Sequence, residues 1–330
     1  MTRHVFILAV FSALWLIGVP PGGADSEILR VVASIPPIHS LAAGVMEGAG
    51  SPALLVRGGA SPHVFSLRPS SARALQEARL VFWVGEGAED FLIRPLAILA
   101  RKGRIVTLSK TPGLSLYPAR PAGDWAGRTL ARRALPGRTR AEGRIRGKPS
   151  WPRPGGPDML IWLDPRNARV IVHAMAVELS RADRAGRALY IANAKRLTRR
   201  LEALEAEIRA TLAPARRSPY VVFHDAYRYF EERFGLRPAG ALAAASGRKP
   251  GARRLTELRR RIRALGAVCV FAEPQFKPSL LETMMEGTGA RAGVLDPLGA
   301  DFEPGPELYF SLMRGLAASL RACLAPPTGG

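Results

Sequence analysis

Short β-branched runs that stop at proline or glycine, each followed by helical spacing, constrain this chain more than any other feature. Leu29–Ile35 (LRVVASI) ends at Pro36-Pro37, and helical spacing covers 39–46. Leu54–Val56 ends at Gly58-Gly59, and Ala72, Leu75 and Ala78 share one helical face over 70–78. Leu80–Val84 (LVFWV) meets Gly85, and Ile105–Leu108 is a fourth run. Continuous apolar runs of this length suit strands buried on both faces, and their alternation with helices predicts parallel β/α units.

From Asp164-Pro165 to Leu212 the pattern is helical, with Leu197, Leu201, Leu204, Ile208 and Leu212 at three- and four-residue spacing. So long a helical stretch reads as a backbone joining two lobes. The β/α rhythm then resumes. Strands are predicted at 220–223, 267–271 and 292–295, with helices at 255–265, 282–288 and 309–324. The fold class is α/β, two lobes with parallel sheets joined by a long backbone helix. The expected organisation is a signal peptide over 1–24, an N-terminal lobe over 25–165, a helical linker over 166–213 and a C-terminal lobe over 214–330.

Val5–Val19 is apolar, follows Arg3 and His4, and is broken by Pro20-Pro21-Gly22-Gly23-Ala24. This is the layout of a secretory signal cleaved after Ala24; an uncleaved anchor is the competing reading, for which the run is short. Export places Cys269 and Cys323, the only cysteines, in an oxidising compartment. A disulfide follows from that, with two buried thiols as the alternative.

The net charge is +21, and 42 of the 48 basic residues are Arg. A basic chain suggests anionic partners, but coding bias in a GC-rich genome gives the same preference. Residues 117–157 hold ten Lys/Arg, two Asp/Glu and no His, with no apolar periodicity. They read as a long mobile surface loop, either a solvated insert or a partner site.

Four histidines follow Ala24: His39, His63, His173 and His224. His63 sits in the loop after the second strand, His224 directly after YVVF, and Asp296 directly after AGVL. All three fall at carboxyl ends of strands, the edge where open α/β sheets bind ligands. Imidazole with carboxylate suits zinc or a similar divalent ion; strand-end polar residues bonded to loops are the alternative. No G-x-S-x-G, G-x-G-x-x-G, P-loop or H-E-x-x-H occurs, so no enzyme is indicated.

Seven blocks run in order: VVASIPPIHSLAAGVMEG, GGASPHVFSLRPSSARALQEARLVFWVG, DMLIWLDPRNAR, VVFHDAYRYFEERFGL, PGARRLTELRRRI, VCVFAEPQF and GVLDPLG. Together they resemble the zinc-binding periplasmic components of bacterial ABC transporters, the ZnuA-type cluster of the TroA-like metal-binding family. The resemblance implies two α/β lobes joined by a long helix, with metal in the cleft. It implies His63 and His224 as ligands, Asp296 as the carboxylate completing the site, and a Cys269–Cys323 disulfide. Zinc is the expected cargo ahead of manganese. The expected partners are a membrane permease with its ATPase, with no nucleic acid, and the chain is expected to be a monomer.

Two departures stand out. The family's middle ligand lies in a D-x-H-x-W-L-D-P-like block, where this chain has Leu160. His39 is the candidate to compensate; His173 reads as a packing residue. The loop is basic where the zinc branch is rich in His and acid. A degenerate member with a weakened metal site, whose basic surface binds anions, is therefore the alternative function. An exported zinc hydrolase ranks last, Glu273 being the one carboxylate worth testing as its base and more simply read as a structural ion pair.

Overall fold

A computed structural model describes residues 29–57, 67–120, 156–241, 252–274 and 278–325. The segment 1–24 and His63 lie outside the described residues, as does most of 117–157. The first sheet has β1 (Val31–Ala33), β2 (Ala53–Leu54), β3 (Leu80–Trp83) and β4 (Arg104–Thr107). All pairs are parallel, in the order β2-β1-β3-β4. The second has β5 (Tyr220–Val222), β6 (Pro238–Ala241), β7 (Cys269–Ala272) and β8 (Arg291–Val294), parallel in the order β6-β5-β7-β8. The two sheets share one topology.

Period-two alternation sets the faces of each sheet. Val31, Ala33, Leu80 and Phe82 join a core cluster that also takes Tyr220, Val222, Cys269 and Phe271 of the second sheet. Val32, Val81 and Trp83 turn to the opposite side, beneath Leu75 of α2 (Pro69–Glu77) and Leu96 of α3 (Ile93–Leu99). Val221, Val270 and Ala272 likewise turn to Leu258 and Ile262 of α7 (Ala252–Ala264) and Leu281 of α8 (Pro278–Met285). One apolar core therefore runs through both lobes, and each lobe keeps a smaller one of its own.

The shared core is built on α1 (Pro36–Met46), α4 (Pro165–Ala182), α5 (Arg187–Thr211) and α9 (Leu308–Leu324). Prolines open α1 and α4 at the first turn, where no backbone N–H is needed. Asp164 caps α4 by accepting the Arg166 N–H at 2.8 Å. The helical stretch after Asp164 is two helices rather than one. Asp183 ends α4 and its carboxylate accepts the Gly186 N–H at 3.0 Å and the Tyr190 hydroxyl at 2.8 Å. An aspartate that bonds nearby backbone competes with helical continuation, a local effect that periodicity does not register.

The last helix belongs to both lobes. Ser40 in α1 accepts the Tyr309 N–H at 2.9 Å, and Tyr309 donates to the Trp162 carbonyl at 2.7 Å. At the far end of α9, Cys323 is disulfide-bonded to Cys269 in β7. Among the described residues, no helix is long and apolar enough to cross a membrane.

Candidate metal-binding cleft

His224 stands two residues beyond β5, and Glu273 follows β7, its neighbour in the sheet. Parallel pairing of Tyr220 with Cys269 and Val222 with Phe271 brings the two strand ends level. His224 Nδ1 lies 2.7 Å from Glu273 Oε1. A carboxylate accepts, so Nδ1 carries the proton and Nε2 is the acceptor nitrogen, the form in which an imidazole binds metal. Burial is the largest influence on the His224 ring and disfavours its charge. The bond and charge of Glu273, with Asp225 and Asp158 nearby, outweigh burial and raise its pKa.

Asp296 follows β8 and Leu295. Its Oδ1 accepts the N–H groups of Leu298 and Gly299, both at 2.9 Å, and its Oδ2 accepts that of Ala300 at 2.5 Å. Burial raises its pKa, against those three donors. The carboxylate thus shapes its own turn. Tyr227 donates to the Leu295 carbonyl at 2.7 Å, and Trp162 donates to the Pro297 carbonyl at 2.8 Å. These bonds tie the strand ends carrying His224 and Asp296 to the segment 158–163.

Leu160 lies in that segment and is buried in the shared core. Its N–H donates to Asp158 Oδ1 at 3.0 Å. Asp158 is itself buried, and burial pushes its pKa up to about 7. The position where the resemblance expects an imidazole is therefore apolar, with a buried carboxyl two residues away.

The stems of the basic segment close over the same region. Ala119 N–H donates to the Gly156 carbonyl and Asp158 N–H to that of Tyr117, both at 2.8 Å. Arg120 then reaches the second lobe. Its Nη2 lies 2.5 Å from Asp225 Oδ1 and 2.6 Å from Glu231 Oε2. Arg228, in α6 (Arg228–Phe234), donates to the Pro118 carbonyl and stacks 5.2 Å from the centre of the Tyr117 ring. A guanidinium thus sits beside the residue that follows His224.

His39 is placed differently. It is buried in α1, and its Nε2 donates to the Pro52 carbonyl at 2.9 Å, just before β2. Burial lowers its pKa. His173 is exposed on α4 and lines a groove beside β4, where helical spacing alone suggested packing. The structure therefore brings His224, Glu273, Asp158 and the Asp296 turn toward one edge and leaves His39 and His173 elsewhere. Among the described residues, no group of three or more His, Cys, Asp or Glu is arranged to hold a metal ion. Glu273 and Arg120 were not legible as partners of this edge. Glu273 had one signal, a carboxylate at the end of a strand.

A pair of parallel α/β lobes with polar groups at the strand ends presents a candidate ligand site at that edge. The fold agrees with a crystal structure of ZnuA, at a TM-score of 0.70 and 22% identity over 91% of this chain and 100% of that one. It agrees equally with the FpvC solute-binding protein of Pseudomonas aeruginosa in complex with Mn2+, at a TM-score of 0.71 and 21% identity over 90% and 99%.

The family of ZnuA, the periplasmic component A of the zinc-uptake complex, matches residues 31–323, and the chain belongs to it. The high-affinity zinc uptake system protein ZnuA of Brucella suis is 39% identical over 305 residues, 89% of this chain and 91% of that protein. Those of Paracoccus denitrificans and Yersinia pestis are both 35% identical, over 91% and 89% of this chain and 93% and 91% of theirs. Members of this family are substrate-binding components, not enzymes.

Proposed function

We propose that this chain captures zinc between its lobes and delivers it to an ABC permease driven by its ATPase. The observation that carries the reading is the His224–Glu273 pair at the ends of β5 and β7. An imidazole oriented by a carboxylate at the sheet's ligand edge is the arrangement of a metal-binding histidine and its supporting acid. His63, His224 and Asp296 form the proposed ligand set, with water in the fourth position. Three protein ligands with one water is a common zinc geometry. His39 can join only through Nδ1, since its Nε2 is held by the Pro52 carbonyl. Export through a cleaved signal over 1–24 puts the chain in the periplasm, acting as a monomer.

Two features favour a weaker site than an intact three-histidine one. Leu160 has no lone pair to offer, and Arg120 places positive charge beside Asp225. The alternative of a weakened member whose basic surface binds anions rests on Leu160 together with the basic composition of 117–157.

Zinc titration calorimetry on chelator-stripped residues 25–330 tests the reading, beside Leu160→His and the His63→Ala/His224→Ala double variant. One-to-one binding is expected, tighter in Leu160→His and lost in the double variant. Unchanged affinity in the double variant overturns the ligand assignment. Negligible binding by the unaltered chain that Leu160→His restores favours the weakened-site alternative.

A further inference from the structure

A groove lies away from the cleft, between β4 and α4, with a volume of about 940 Å³. β4 is the edge strand of its sheet and is only half-covered. Arg104 N–H donates inward to the Arg79 carbonyl at 3.0 Å. Alternation along the strand therefore turns the N–H and C=O of Ile105 and Thr107 outward. Among the described residues, no backbone bond is recorded on that outer side. The Ile105 side chain is 39% exposed.

Val106, Val170 and Val177 supply apolar surface to the groove, and its rim is basic: Arg104, Lys110, Arg169 and Arg181, with Arg169 paired with Glu205 at 3.0 Å and the carboxylate of Glu178 in the groove. Arg104 and Arg181 share that carboxylate, with contacts of 3.0 Å and 2.7 Å to Glu178 Oε1. The rim keeps a cationic excess. Arg169 and Arg181 are twelve residues apart on α4, roughly 18 Å along the helix axis. A compact anion cannot reach both, whereas an extended peptide of about six residues can.

We propose that this groove binds an extended acidic peptide segment of a partner protein, added to β4 as a fifth strand. Main-chain bonds to Ile105 and Thr107 hold the segment, and alternate carboxylates meet the rim. The chain's own segment 121–155 carries charge of the same sign as the rim, which disfavours it as the occupant. The proposal is independent of the zinc cleft.

The test is fluorescence anisotropy with a labelled (Glu-Val)4 peptide on residues 25–330. Saturable binding is expected, weakened at least tenfold by Lys110→Glu with Arg181→Glu. Ile105→Pro removes one outward N–H and is expected to weaken binding as much, with zinc titration and melting unchanged. The same peptide N-methylated at alternate residues probes strand addition without altering the protein and is expected not to bind. Equal binding of the methylated peptide, or its displacement by citrate at matched carboxylate concentration, overturns strand addition. Equal displacement by a sulfated oligosaccharide assigns the effect to general basic charge and also overturns it.

Discussion

Among the described residues each lobe sets a histidine near the start of a helix, His39 buried and His224 partly exposed, and the two rings are tuned in opposite directions. In the first lobe His39 donates to a backbone carbonyl, that of Pro52, and burial lowers its pKa. In the second, His224 faces a carboxylate, Glu273; burial again acts most strongly, yet the acid and its neighbours raise the pKa. The partner atom, not burial, gives the two rings their opposite shifts. A carbonyl fixes a neutral imidazole in place, whereas a carboxylate also strengthens the far nitrogen as a donor to metal.

The largest expected effect breaks the second member of that comparison. His224→Ala should weaken zinc binding by more than about a hundredfold, because a ligand is worth more than its supporting acid. Calorimetry reads this directly, and a loss under threefold would remove His224 from the site. Glu273→Gln comes next, with an expected loss of about 10- to 100-fold, the range for a partner outside the coordination sphere. Glutamine keeps the shape and loses the charge, so the ring is held but less basic.

The pH dependence sharpens the contrast. Zinc needs neutral Nε2, and the raised pKa of His224 keeps the ring protonated to higher pH than a free imidazole. Zinc affinity should therefore begin to fall above pH 6.5 as the pH drops, by up to about tenfold per unit. Glu273→Gln should move that edge to lower pH. In the apo chain the same raised pKa stabilises the fold below the unfolded value near 6.5, and that stability fades as pH rises through the folded pKa. His39 has the opposite sign. Ring-proton NMR across this range should show His224 titrating late and His39 early; the reverse order would refute the comparison.

Much of the fold was legible because its signals are local. Runs such as LVFWV are apolar on both faces and stop at glycine; Gly85 stands at φ +137°, where a Cβ would meet Ser109 Oγ at 2.7 Å. β6 was not legible, because Pro238-Ala-Gly-Ala has neither branching nor aromatic content. It is a strand because it lies at the edge against β5, a position that tolerates proline. The α4–α5 break falls where the apolar stripe lapses between Leu179 and Tyr190, around Asp183 and Gly186, and the strong spacing on either side hid it. At the cleft, His224 and Asp296 could be picked out as strand-end residues. The Glu273 partnership could not, as it joins residues 49 apart through strand pairing. Arg120 was hidden in a basic stretch whose composition says nothing about which arginine crosses to the other lobe.

The smallest expected effect tests the first member of the comparison. His39→Gln keeps a donor that can reach the Pro52 carbonyl while removing the imidazole. The bond to Pro52 is the one the His39 side chain makes among the described residues, and its buried Nδ1 makes none. A net hydrogen bond is worth about 1 kcal/mol, so a substitution that keeps it should shift unfolding by no more than that in a denaturant titration. Zinc affinity should change less than twofold. A tenfold loss would mean that His39 enters the coordination sphere through Nδ1, taking the place that Leu160 cannot fill. The Leu160→His/His39→Gln double variant then decides the matter: if His39 is a stand-in ligand, restoring an imidazole at 160 should make its loss harmless.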